Sequence, residues 1–69
     1  MTSIVRGEVK FFNEERYFGF IKTQDQGDFF FHGNEVMAPP LPKKGDLVTF
    51  EIDRDMKGRQ KAIKVNHLD

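Results

Sequence analysis

The stretch Arg16-Tyr17-Phe18-Gly19-Phe20-Ile21-Lys22 decides how this chain folds. In a β-strand, successive side chains point to opposite faces. Phe18, Phe20 and Lys22 then share one side, and Gly19, Ile21 and Thr23 share the other. Lysine points to water far more often than into a core, so the face carrying Phe18 and Phe20 is the wet one. Two phenylalanines on the wet face of one strand require an explanation.

Asp28-Phe29-Phe30-Phe31-His32 repeats the pattern. Phe29 and Phe31 share an inward face, while Asp28 and His32 mark the face of Phe30 as the wet one. Paired as antiparallel neighbours, the two stretches gather Phe18, Phe20, Phe30 and His32 into one aromatic platform. Every base has a π-face, so such a platform suits the stacking of unpaired bases in a single strand.

At 69 residues the chain is read as a single domain, 1–69, with a small core and modest stability from packing alone. It has no cysteine, which excludes disulfides and thiolate metal sites, and its two histidines, His32 and His67, are too far apart to suggest zinc. No cofactor or metal is expected. No apolar run approaches the roughly 20 residues of a membrane span, and Met1-Thr2-Ser3-Ile4 lacks the features of a signal peptide, so the reading is a cytoplasmic protein with no membrane partner. Eight Phe and one Tyr are more rings than so small a core buries. The 11 basic and 11 acidic residues cancel. A nucleic-acid-binding protein with no basic excess must rely on stacking and local charge placement rather than on its overall field.

Along the chain, alternation predicts a first strand over residues 4–12, with Val5 and Val9 inward and Arg6, Glu8 and Lys10 outward. Strict parity puts Phe11 inside and Phe12 beside Lys10, whereas a bulge near Lys10 reverses the two. Parity alone leaves this register open. Further strands are predicted over 17–23, 28–32, 47–53 and 60–67. Val48, Phe50 and Ile52 are the inward residues of the fourth strand, and Ile63 and Val65 those of the fifth. Gln24-Asp25-Gln26-Gly27 reads as a hairpin turn, with Gly27 available for positive φ. Asn34 is the expected cap of a single helical or 3₁₀ turn. Pro39-Pro40-Leu41-Pro42 reads as a stiff extended connection, Lys43-Lys44-Gly45-Asp46 as a turn, and residues 54–59 as a mobile hairpin loop. Five short strands with turn signals suggest a small closed all-β barrel.

These residues resemble the cold-shock domain of small bacterial cold-shock proteins. The resemblance runs from about residue 7 to 65. It is carried by Gly7-x-Val9-Lys10-Phe11-Phe12-Asn13, Phe18-Gly19-Phe20-Ile21, Asp28-x-Phe30-x-His32, and Gly45 before Val48-x-Phe50. The middle two look like the ribonucleoprotein motifs of that family. The resemblance implies a five-stranded antiparallel oligonucleotide/oligosaccharide-binding (OB-fold) barrel that binds single-stranded RNA or DNA and acts as an RNA chaperone or as a regulator of transcription or translation. By resemblance, Phe18, Phe20, Phe30 and His32 stack bases. Phe11 takes the place of the family's usual tryptophan on the binding face, which favours the bulged register and buries Phe12. Lys10, Asn13, Asp28 and Lys57 match positions that contact bases or phosphates, and Arg16 replaces the usual lysine.

The chain departs from the family pattern in four places. Tyr17 stands where the family has glycine, either as an added stacking ring or as a distortion of the turn. Gly33 stands where the family has a further exposed phenylalanine. The connection from Asn34 to Gly45 is shorter than usual and carries prolines in place of a further stacking aromatic. Lys43-Lys44 is basic where the family is often acidic. A truncated binding surface is expected, with Tyr17 compensating in part.

A second reading of the exposed rings is a protein-interaction module on the same barrel. An enzyme is disfavoured: there is no P-loop, Ser3 is the only serine, and the carboxylates show no paired arrangement. A monomer is expected, although a short stiff connection before two strands also allows a domain-swapped dimer hinged near residues 39–45.

Overall fold

The computed structural model describes residues 4–54 and 56–68. Five strands, β1 (Ile4–Asn13), β2 (Phe18–Lys22), β3 (Asp28–His32), β4 (Leu47–Arg54) and β5 (Gln60–His67), form a closed barrel in the order β1-β2-β3-β5-β4. The pairings β1–β2, β1–β4, β2–β3 and β4–β5 are antiparallel. Closure departs from the expected all-antiparallel arrangement: β3 meets β5 in parallel through Phe30 and Lys61, extended by a parallel bridge from Val36 to Val65. Among the described residues, no helix is long and apolar enough to cross a membrane.

The core is Val9, Ile21, Phe29, Phe31, Val48, Phe50, Ala62 and Val65, with Val5, Phe12, Val36 and Ile52 packed against it. β3 alternates as its sequence predicts, with Phe29 and Phe31 buried and Asp28, Phe30 and His32 exposed. β5 does not alternate strictly. Lys64 adopts φ 51°, and this left-handed residue resets the parity, so Ala62 and Val65 both point inward while Ile63 is only half-buried. The expected inward pair Ile63 and Val65 is corrected to Ala62 and Val65.

The open register of β1 resolves as a bulge. Val9 pairs with Ile21 and Phe11 with Phe20, leaving Lys10 as the extra residue. Parity reverses there. Phe11 turns outward at 42% exposure, and Phe12 turns inward to stack on Phe31 at 5.6 Å between ring centroids. The close approach of β2 permits this: a side chain on Gly19 would collide with the carbonyl oxygen of Phe11 and meet the rings of Phe31 and Phe12 at 2.9 and 3.0 Å.

The turns follow local chemistry. Gly27 has φ 80°, and its carbonyl oxygen accepts from the Thr23 N–H and hydroxyl at 2.9 and 2.7 Å. A single 3₁₀ turn spans Gly33–Glu35, but its cap is His32 rather than Asn34: the His32 Nδ1 accepts from the Asn34 N–H at 3.2 Å. The connection over residues 39–45 is stitched to the barrel. Pro42 is fully buried, the Pro40 carbonyl lies 2.6 Å from the His67 Nε2, and the Gly45 N–H donates to the Val9 carbonyl at 2.8 Å.

Gly19→Ala places a methyl group against backbone, which cannot rotate away. Overpacking of this kind costs about 1–3 kcal/mol. Urea unfolding is expected to show a loss at the upper end of that range, and a change below about 0.5 kcal/mol would contradict the close approach of β1 and β2.

Candidate nucleic-acid interface

The outward residues of β1, β2 and β3 form one continuous aromatic surface. Cross-strand pairing places Phe11 opposite Phe20, Phe20 opposite Phe30, and Phe18 opposite His32. Ring centroids lie 5.4 Å apart for Phe11 and Phe20, 5.8 Å for Phe20 and Phe30, and 5.7 Å for Phe18 and Phe30. Phe18 stands edge-on to Phe20 and to Phe11. Aromatic neighbours at these separations attract one another beyond simple burial. The mutual packing leaves Phe18 and Phe20 half-buried, while Phe11 and Phe30 keep 42% and 37% exposure.

Charged residues border this surface. Beyond Phe20 and Phe30, Lys22 stands opposite Asp28 in the strand register, and the Lys10 Nζ reaches over β2 to the Asp28 Oδ2 at 2.8 Å. Both side chains of that ion pair are about half exposed, so solvent screens it. On the β5 flank, Phe30, Arg59, Gln60 and Lys61 line a cleft of about 420 Å³. On the β1 flank, Glu14 and Glu15 join Phe11, Phe12 and Asn13 around a groove of about 570 Å³. The β5 side of the platform is therefore basic, while the two carboxylates stand in the loop that follows β1, beside the exposed Arg16.

The remaining predicted residues separate into two groups. Asn13 builds the loop between β1 and β2. Its Oδ1 accepts from the N–H groups of Glu15 and Arg16 at 3.0 and 3.1 Å, and its carbonyl accepts from Tyr17 at 2.7 Å. Asparagine at the head of a tight turn commonly makes these bonds. Arg16 is exposed on this loop, and Tyr17 closes it with φ 62°. The Tyr17 ring reaches the platform edge, 5.6 Å from His32. Lys57 lies exposed in the turn between β4 and β5 that leads into the Arg59–Lys61 cleft.

Sequence reasoning missed Gln60 and Lys61. No local pattern marks them, because the parallel closure of β3 on β5 is what carries Lys61 to Phe30. Among the described residues, no cluster of His, Asp or Glu has the makings of a metal site.

Comparison with known proteins agrees with this geometry. The family model described as "'Cold-shock' DNA-binding domain" matches residues 5–68. The chain is 41% identical over 66 residues to the cold shock-like protein CspG of Shewanella violacea, covering 90% of this chain and 93% of that one. It is 38% identical over 64 residues to a cold shock-like protein of Thermotoga maritima, covering 88% and 97%. It is 34% identical over 67 residues to the glycine-rich protein 2 of Nicotiana sylvestris, covering 93% of this chain but 31% of that larger protein. With its barrel, its platform and nearly its whole length in agreement, the chain belongs to the cold-shock domain family.

Proposed function

We propose that this protein binds single-stranded nucleic acid by stacking unpaired bases on Phe11, Phe18, Phe20, Phe30 and His32, and that its ligand in the cell is RNA. The observation that carries this reading is the outward, mutually packed ring surface on β1–β3. Stacking contributes about 1–3 kcal/mol per base and tolerates sequence. A protein that binds only the open strand shifts folded RNA towards the open form by mass action, which is chaperone activity without nucleotide hydrolysis. The family membership supports a binding role rather than catalysis, and such a role fits a cytoplasmic protein.

Charge placement refines the reading. The phosphate backbone runs along the basic flank of Arg59 and Lys61, away from Glu14 and Glu15. Lys10 and Asp28 exchange their mutual bond for contacts with the ligand, because a screened surface pair is worth only about 0.2–1 kcal/mol. Arg16 and Lys57 supply further phosphate contacts from the two loops that border the platform. The stitched connection over residues 39–45 favours a monomer over a strand-swapped dimer.

Three outcomes are expected. Phe30→Ala, which leaves inward Phe29 and Phe31 in place, weakens binding of labelled oligo(U) and oligo(dT) by about tenfold or more in fluorescence anisotropy, with an unchanged circular dichroism spectrum. An unchanged affinity would remove the platform as the binding surface. The logarithm of affinity falls with the logarithm of salt at a slope of about −3, as phosphate contacts from Arg16, Lys57, Arg59 and Lys61 dictate for a single strand. A slope several-fold steeper would mean that charge, not stacking, carries the affinity. Light scattering at high protein concentration gives the monomer mass of 8.1 kDa, and twice that mass would favour the swapped dimer.

A further inference from the structure

Tyr17 is a tyrosine held where a glycine would rest without strain. Its φ of 62° lies in the left-handed region, which ordinarily costs a residue with a Cβ. Both sides of the residue are pinned: its N–H donates to the Asn13 carbonyl at 2.7 Å, and its carbonyl accepts from the Gly33 N–H at 2.8 Å. Its ring lies over Gly33. A Cβ on Gly33 would fall 2.5 Å from Cδ2 and Cε2 of that ring and 2.8 Å from Cγ. A side chain at 33 and a ring at 17 thus claim the same volume, and this chain gives the space to Tyr17.

The ring is not absorbed by the core. It remains 36% exposed, and its aromatic neighbours Phe12 and His32 meet it at steep angles, 68° and 75°. It sits past the Phe18–His32 pair, at the end of the platform opposite the Lys10–Asp28 ion pair. An observed backbone outlier, at the rim of a binding surface and kept by its surroundings, points to use.

We propose that Tyr17 forms a stacking subsite extending the platform by one base beyond Phe18 and His32, with Gly33 as its positioning residue. The proposal rests on the single-strand reading above and adds to it the length of the footprint. The strand leaves the platform over Tyr17 at the end next to Arg16, whose side chain stands exposed on the same loop. The residue at 33 acts only by leaving room for the ring.

The test compares a four-nucleotide with a seven-nucleotide oligo(dT), by fluorescence anisotropy at low salt. The short strand is held on the central phenylalanines, and the long one reaches the rim. Y17G is expected to weaken the seven-nucleotide strand about tenfold, one base's worth of stacking, and to leave the four-nucleotide strand within about twofold. G33A, which keeps the tyrosine but displaces its ring, gives the same length-selective loss. The exchange variant Y17G/G33F returns a ring to the shared volume from the other strand and restores the long-strand affinity to within about threefold. Equal losses on both lengths would overturn the proposal, since a ring that merely supports the fold affects every ligand alike. So would no loss in Y17G, or a loss in Y17G without one in G33A. If Y17G/G33F does not fold, the length selectivity of the two single variants still decides. Failure of the wild type to bind either strand would overturn the single-strand reading itself, whereas wild-type binding with an indifferent Y17G would overturn only the subsite.

Discussion

The antiparallel register between β2 and β3 puts Gly19 opposite Phe31 and Phe20 opposite Phe30. Both surfaces of the barrel wall follow from it. Inward, Ile21, Phe29 and Phe31 fill the core. Outward, Phe18, Phe20, Phe30 and His32 make most of the platform. A slip by one residue would exchange the two faces of either strand, so the core and the platform guard the same register. Gly19 transmits that register to β1. Because it carries no side chain, the Phe12 ring can reach Phe31, and because Phe12 turns inward, the bulge at Lys10 sends Phe11 outward. Lys10 and Phe11, adjacent in sequence, are therefore both exposed, which no regular strand would allow.

The electrostatics suit a ligand whose charge is only part of what is recognised. With 11 cations and 11 anions the protein has no long-range attraction for a polyanion. What it has is arrangement: cations on the β5 flank, carboxylates in the loop that follows β1, and a lysine already turned over the platform by its bond to Asp28. Such a surface gains little from non-specific encounter with duplex nucleic acid, whose bases are hidden. Under the proposed function, discrimination for unpaired strands would come from the rings, and stacking weakens far less with salt than phosphate contact does.

Much of this was legible in the sequence, for a definite reason. Phe-Gly-Phe before Lys22, and Asp28 and His32 around Phe30, set polar and aromatic side chains at a period of two, and that period fixes which face is wet. What the sequence left open or misplaced depends on irregular backbone. The bulge at Lys10 became decidable only once Phe12 had a partner in Phe31. The left-handed Lys64 moved the core position from Ile63 to Ala62 without any glycine to announce it. His32 rather than Asn34 caps the 3₁₀ turn because its ring, not the next side chain, stands beside the free N–H. Lys61 could not be placed at Phe30 by local pattern, since the pairing that joins them spans about 30 residues of chain.

Asn13 shows how loop and ligand surface share their parts. Its side-chain oxygen holds the turn that carries Arg16 and Tyr17. Those two backbone bonds, with the one from Tyr17 to the Asn13 carbonyl, are what keep a tyrosine in a left-handed conformation at the rim. Removing the Asn13 amide would loosen the turn and with it the support that holds Tyr17 in its left-handed conformation. A loss of affinity on substituting Asn13 would then report the position of the Tyr17 ring rather than a missing bond to a base. The rim of this site is consequently built from the inside outward: the asparagine sets the turn, the turn aims the tyrosine, and the bare Gly33 backbone gives the ring its place.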